Sequence, residues 1–203
     1  LGQSRTDVAA RGTSPAGIDL DEVWESFRSG RLWVSMGLLT RINVDEHFGV
    51  GDLATGLGPT LQVAVEVSGP SWVTADRVEL FANGIKIREH VIAPTEQVEK
   101  TRITWPVPHP RHDVHLVAIA SGPGVTAPYW ETPRPYQATS KVFTPRVIGS
   151  TNPIWIDADA DGRFSSARDY AWRLVQQHPK GEGAAALAAA LEGYDQAVAV
   201  SGC

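Results

Sequence analysis

The chain has 203 residues, 18 Lys and Arg against 23 Asp and Glu, a formal net charge of −5 and a pI near 5.7. That balance, with no basic run, argues against nucleic acids and anionic membrane surfaces as partners. No apolar run approaches the roughly 20 residues of a membrane span, and the single cysteine, Cys203, has no intrachain partner for a disulfide.

Residues 1–18 are polar, rich in Gly, Ala, Ser and Thr, and without periodicity. They predict an extended arm that orders only against a surface from elsewhere, since few apolar groups are present to offset roughly 1–2 kcal/mol of backbone entropy per residue. The first residue is Leu1 and no signal peptide is visible; we expect a chain processed or cut from a longer one, with a leaning toward periplasm or secretion. A helix is expected from Asp19 as N-cap, with Asp21 and Glu22 in its first turn, an apolar side made by Val23, Trp24 and Phe27, and Gly30 as its end.

Strands follow at 31–37, with a bend at Gly37 and a continuation over 39–44, and at 61–67, where apolar and polar residues alternate. The segment 78–88 carries Asn83-Gly84, the pair that supplies the positive φ angles of a type I′ hairpin. Further strands are expected at 101–105, 114–120 and 141–148, and a proline-rich loop over 121–135. Ile154-Trp155-Ile156 reads as a last strand. A helix over 165–178 is stopped by Pro179-Lys180-Gly181, and the alanine-rich 184–191 predicts another, extending to 199 with a break at Gly193. The fold class these elements predict is mainly β: an immunoglobulin-like antiparallel β-sandwich with an N-terminal helix and C-terminal helices. We divide the chain into a linker arm and helix (1–30), the sandwich (31–156), and an acidic loop with C-terminal helices packed on it (157–203).

The richest stretch is Asp157-Ala-Asp159-Ala-Asp161-Gly162. Three alternating carboxylates can converge on one hard cation, and glycine at the sixth position permits the sharp turn around it. The unit is strand, acidic loop, helix. At the twelfth position Arg168 stands where a closing Glu would serve an EF-hand, so closure is expected from the Arg163 carbonyl, from Asp169 or from water. The expected ligand is a structural Ca²⁺, since three uncompensated carboxylates would repel one another. The competing reading is an Asp-rich turn with Ser165 or Asp161 capping the next helix.

Other chemistry is sparse. Neither a Gly-x-Ser-x-Gly elbow nor a phosphate-binding glycine loop is present. His109, His112 and His115 form a histidine-rich piece, but His112 and His115 point to opposite faces of a strand; we read a polar turn entering a buried strand. His47 beside Asp45 and Glu46 reads as a solvated loop. Tyr129, Trp130 and Tyr136 can be a sugar-stacking platform or a plug for one end of the sandwich.

Several segments together resemble the C-terminal part of PHP-type metallohydrolases, of the CehA/McbA (carbaryl-hydrolase-like) group. They are Gly2-Gln-Ser-Arg5-Thr, Ile18-Asp-Leu-Asp-Glu-Val, Ser29-Gly-Arg31-Leu-Trp-Val-Ser-Met-Gly37, Val78-Glu-Leu-Phe-Ala-Asn-Gly84, Asp113-Val-His-Leu-Val-Ala-Ile-Ala120 and Asn152-Pro-Ile-Trp-Ile-Asp-Ala-Asp-Ala-Asp-Gly162. The last is the most specific, though Ala160 stands where relatives are expected to carry glycine. The resemblance implies a non-catalytic tail whose catalytic metals and His/Asp ligands belong to a preceding domain. It implies that domain as the partner and leaves homo-oligomers open. The alternative is a stand-alone carbohydrate- or surface-binding module stabilised by calcium. An independent enzyme using His47 or the 109–115 histidines is the least favoured reading.

Overall fold

The computed structural model describes residues 4–12, 14–126, 131–132, 142–178 and 184–201. In chain order the elements are β1 (Ser4–Val8), α1 (Leu20–Arg28), β2 (Leu32–Met36), β3 (Leu39–Val44), β4 (Leu53–Ala54), β5 (Thr60–Ser68), β6 (Arg77–Ala82) and β7 (Ile85–Val91). They continue with β8 (Glu99–Pro108), β9 (Val114–Pro123), β10 (Arg146–Thr151), β11 (Ile154–Ile156), α2 (Ala167–Gln177), α3 (Ala184–Leu191) and α4 (Gln196–Ser201). The protein is mainly β. Among the described residues the strands form two sheets, antiparallel except where β4 runs parallel to β11.

Strand β9 is the spine of the larger sheet. Strand β6, with β7 beyond it, pairs along one edge, while β10 and β11 pair with successive parts of β9 along the other. Next to β10 comes β2, then β1; next to β11 comes β4. The smaller sheet is β3-β5-β8. Period-two alternation drives this arrangement: Leu61, Val63, Val65 and Val67 of β5, and Val114, Leu116, Ala118 and Ala120 of β9, are all buried in one shared core. Pro106 and Pro108 sit in β8, an edge strand, where a missing N–H breaks no ladder.

Gly37, at φ 90°, turns the chain from β2 in one sheet to β3 in the other, at the expected bend. The sheets come closest nearby. The buried Thr40 hydroxyl donates to the Gly149 carbonyl at 2.9 Å, and a Cβ on Gly149 would lie 2.6 Å from the Leu38 carbonyl oxygen. The hairpin at Asn83-Gly84 has the positive φ angles of the expected turn, 48° and 80°.

Two expectations need correction. The arm is not free, because Ser4–Val8 is strand β1 and pairs in register from Ser4↔Met36 to Val8↔Leu32. The surface it needed is the open edge of β2 in its own chain; edge pairing satisfies backbone groups without requiring apolar side chains. The strand expected to end at 148 runs instead from Arg146 to Thr151, and Asn152-Pro153 separates it from β11. Helix α1 is capped as expected, with Asp19 accepting from the amides of Asp21 (2.9 Å) and Glu22 (3.4 Å), and much of its apolar side is turned outward. Ser26 is buried, while Leu20, Trp24 and Phe27 are 78%, 62% and 50% exposed, the two rings stacked 5.9 Å apart. Tyr129, Trp130 and Tyr136 lie outside the described residues.

Helices α2 to α4 have their own apolar cluster, in which Tyr170, Ala171, Leu174 and Val198 are buried. They attach to the body through specific contacts. The Asp113 amide donates to the Tyr170 hydroxyl (3.4 Å), Asn83 Nδ2 donates to Asp195 (2.9 Å), and Phe164 packs edge-on to Trp155 (4.5 Å). Asn83 also accepts from the His115 amide at 3.1 Å, tying the hairpin to β9.

Replacing Gly149 by alanine is expected to force β3 and β10 apart and lower unfolding free energy by about 1–3 kcal/mol, measured by urea denaturation. An unchanged midpoint would show that the sheets are not in contact there.

Candidate metal centre

The site forms where β9 begins and β11 ends. Ile154 and Ile156 point into the core, and the Asp157 amide extends the β4 pairing by donating to the Ala54 carbonyl at 2.9 Å. Asp157 is 1% exposed, and the loop wraps round its carboxylate: Oδ1 accepts from the Asp161 amide (3.2 Å) and Oδ2 from the Gly162 amide (2.8 Å). Gly162, at φ 81°, fits the turn this requires, and Ala160 adopts φ 57°, where glycine carries no Cβ penalty.

From the other side comes Asp113, fully buried at the head of β9. Its Oδ1 accepts from the Ala158 amide (2.9 Å) and its Oδ2 from the Ser165 amide (2.7 Å), so one side chain grips both ends of the loop. Carboxylate oxygens of Asp113, Asp157 and Asp159 lie within 4.8 Å of one another. Oxygens this close can reach a single hard cation. The donors are all hard oxygens, and each carboxylate offers about four lone-pair sites, so two amide bonds leave room for a cation.

Only part of the expected ligand set comes together. Asp157 and Asp159 belong to this group of three; Asp161 does not, its Oδ1 accepting from the Arg163 amide at 2.8 Å. Asp169 serves the helix: it accepts from the Ser166 amide (2.9 Å) while the Ser166 hydroxyl caps α2, closing a capping box. The cap is therefore Ser166, one residue beyond Ser165. Arg163 is exposed. The residue missed from sequence is Asp113, which lies 44 positions before Asp157 and carries no local pattern beyond an acid opening a buried strand.

Among the described residues the histidines do not form a second centre. His112 is buried against the rings of Tyr170 and Tyr194, with Nε2 3.2 Å from Asp195 Oδ2. His115 packs on Trp155 at 5.7 Å, and burial lowers its pKa. His109 contacts the Pro110 carbonyl, and His47 the Asp45 carbonyl within a tight turn.

The neighbouring carboxyls are driven in opposite directions. For Asp157, burial opposes ionisation, but bonds from the Gly162 amide, the Thr55 hydroxyl and the Asp161 amide prevail and lower its pKa. For Asp159, burial and the charges of Asp161 and Asp113 raise it. Asp159, exposed at the rim of the loop, thus ionises less readily than its buried neighbour Asp157.

Comparison with family models, with curated proteins and with solved structures finds no match to this chain.

Asp157 has a lowered folded pKa, so its contribution is present above its unfolded value and lost as pH falls below about 4. Asp157→Asn is expected to cost about 1–3 kcal/mol at pH 7 and to remove that acid-side loss. Asp159 has the opposite sign: its penalty is present at neutral pH and fades on acidification through its raised pKa. Asp159→Asn should therefore stabilise the chelator-treated chain at pH 7. Urea melts across pH measure both, and destabilisation by Asp159→Asn would contradict the assignment. Ala160→Gly is expected to leave stability unchanged or raise it by up to about 1 kcal/mol, relief of the positive φ outweighing the added unfolded-chain entropy.

Proposed function

We propose that this chain is a non-catalytic accessory domain of a metal-dependent, PHP-type hydrolase, an immunoglobulin-like sandwich whose acidic loop holds a structural Ca²⁺. The observation that carries the reading is the meeting of buried Asp113 with Asp157 and Asp159. Asp113 and Asp157 are buried and Asp159 is exposed at the rim; carboxylates this close repel unless a cation or a shared proton intervenes. Asp113, Asp157 and Asp159 would hold the ion, and its charge would fix the loop between β11 and α2. Asp113 and Asp157 also come from two of the segments on which the resemblance to the CehA/McbA group rests, which supports reading them as one functional unit. Catalytic metals would belong to the preceding domain.

The outward face of α1 supports the partner. A helix that turns Ser26 inward and leaves Leu20, Trp24 and Phe27 to solvent offers apolar area suited to another domain. Burying it there gains roughly 1.5–3 kcal/mol per large side chain. The arm, paired with β2, no longer argues for that partner; α1 does.

Calorimetry is expected to show Ca²⁺ binding with a dissociation constant of roughly 10⁻⁴–10⁻³ M, a melting temperature that rises with Ca²⁺, and weakened binding in Asp113→Asn and Asp159→Asn. No heat and no chelator effect would end the calcium reading. Trp24→Ala is expected to leave the melting temperature of this chain unchanged while weakening its association with a separately produced catalytic domain. Unchanged association would remove α1 from the interface.

A further inference from the structure

Where β5 begins and β8 finishes, the two sheets part around a cavity of about 230 Å³. Its walls include Leu61, Val107, Val114, Leu116 and Ile156, all buried side chains of the core. Among the described residues one cation lines it, Arg88 of β7. Arg88 lies directly across from Leu80, which is fully buried, and paired residues project to the same face of a sheet. The register slips just there: Ile87 is an extra residue, so Ile87 and Arg88 both reach the space between the sheets. A bulge re-aims a side chain in this way.

The guanidinium is held but not neutralised. It donates to the carbonyls of Ile87 (2.8 Å) and Pro106 (3.1 Å), the latter across the gap on β8. Among the described residues no carboxylate forms an ion pair with it, whereas neighbouring Lys86 pairs with Glu79 and Glu89, and Arg102 with Glu66 and Glu99. Two of its five N–H donors are engaged, leaving donors for a ligand.

We propose that this cavity binds a small amphipathic carboxylate, with its hydrocarbon tail among the apolar walls and its carboxylate on Arg88. Arg pairs with carboxylate through charge-assisted, often bidentate, bonds that are stronger than bonds to a neutral group. The size follows from the volume: at about 30 Å³ per water-sized atom, the space takes on the order of eight non-hydrogen atoms. Hexanoate has that size.

The test uses the whole chain, labelled for amide resonances and titrated with hexanoate, hexan-1-ol and hexylamine. Hexanoate is expected to give saturable shifts at Leu61, Ala82 and Leu116, hexanol to bind at least about tenfold more weakly, and hexylamine to leave those amides unmoved. Arg88→Gln should bring hexanoate down to the hexanol level, and Ala82→Phe, which fills the cavity, should abolish both. The comparison of three ligands on the unmodified chain stands even where a variant fails to fold. No saturable shift with hexanoate at tens of millimolar would overturn the proposal. So would equal binding of acid and alcohol, or a preference that survives Arg88→Gln; Arg88 would then be only an inward charge guarding an edge strand.

Discussion

Asp113 holds two amides of one loop, those of Ala158 and Ser165, and most of the C-terminal quarter depends on that grip. Nothing in the loop itself is apolar enough to fold it before Phe164 reaches Trp155. The two bonds set where the chain leaves β11 and where it re-enters as α2. Once α2 is placed, Tyr170 meets the Asp113 amide and the His112 ring, and the small helical cluster can close. A fully buried carboxylate is an expensive anchor, and it is stable here because each oxygen faces a fixed N–H dipole. The same arrangement concentrates negative charge, which links the fold of the cap to the chemistry proposed for the loop.

At the opposite extreme of packing, Thr40 and Gly149 bring the sheets so close that a single methyl group has no room. Away from that point the sheets separate. The divergence appears where β5 begins, and there the core leaves a cavity that Arg88 borders.

Much of the β body is legible in the sequence. Alternation in Leu61–Val67 and Val114–Ala120, the bend at Gly37 and the Asn83-Gly84 turn are local signals, and each specifies its own conformation. What escapes is the non-local part. Strand β1 has no apolar alternation, because its pairing rests on backbone groups offered by β2. The two-residue β4 is too short to leave a pattern and exists only as a parallel neighbour of β11. At the candidate site Asp157 and Asp159 are evident from their spacing, while Asp113 is brought in by the sheet. Asp161 and Asp169 look equivalent in sequence, yet local amides at Arg163 and Ser166 occupy them. The amphipathic pattern of α1 was legible too, but a helical period says which side is apolar and not which side faces inward.

Asn83 shows how one position can be restricted by more than its own backbone. A turn with these φ angles accepts asparagine, aspartate or glycine about equally well. Here the amide group also receives the His115 N–H and passes a proton donor to Asp195, the residue whose other oxygen accepts from the Val198 amide at the head of α4. Aspartate would keep the acceptor but set a second negative charge against Asp195; glycine would keep the turn and drop both bonds. Of the residues that hairpin geometry allows, only asparagine also links a strand to a helix, so drift at this turn is limited by a neighbour 112 positions away.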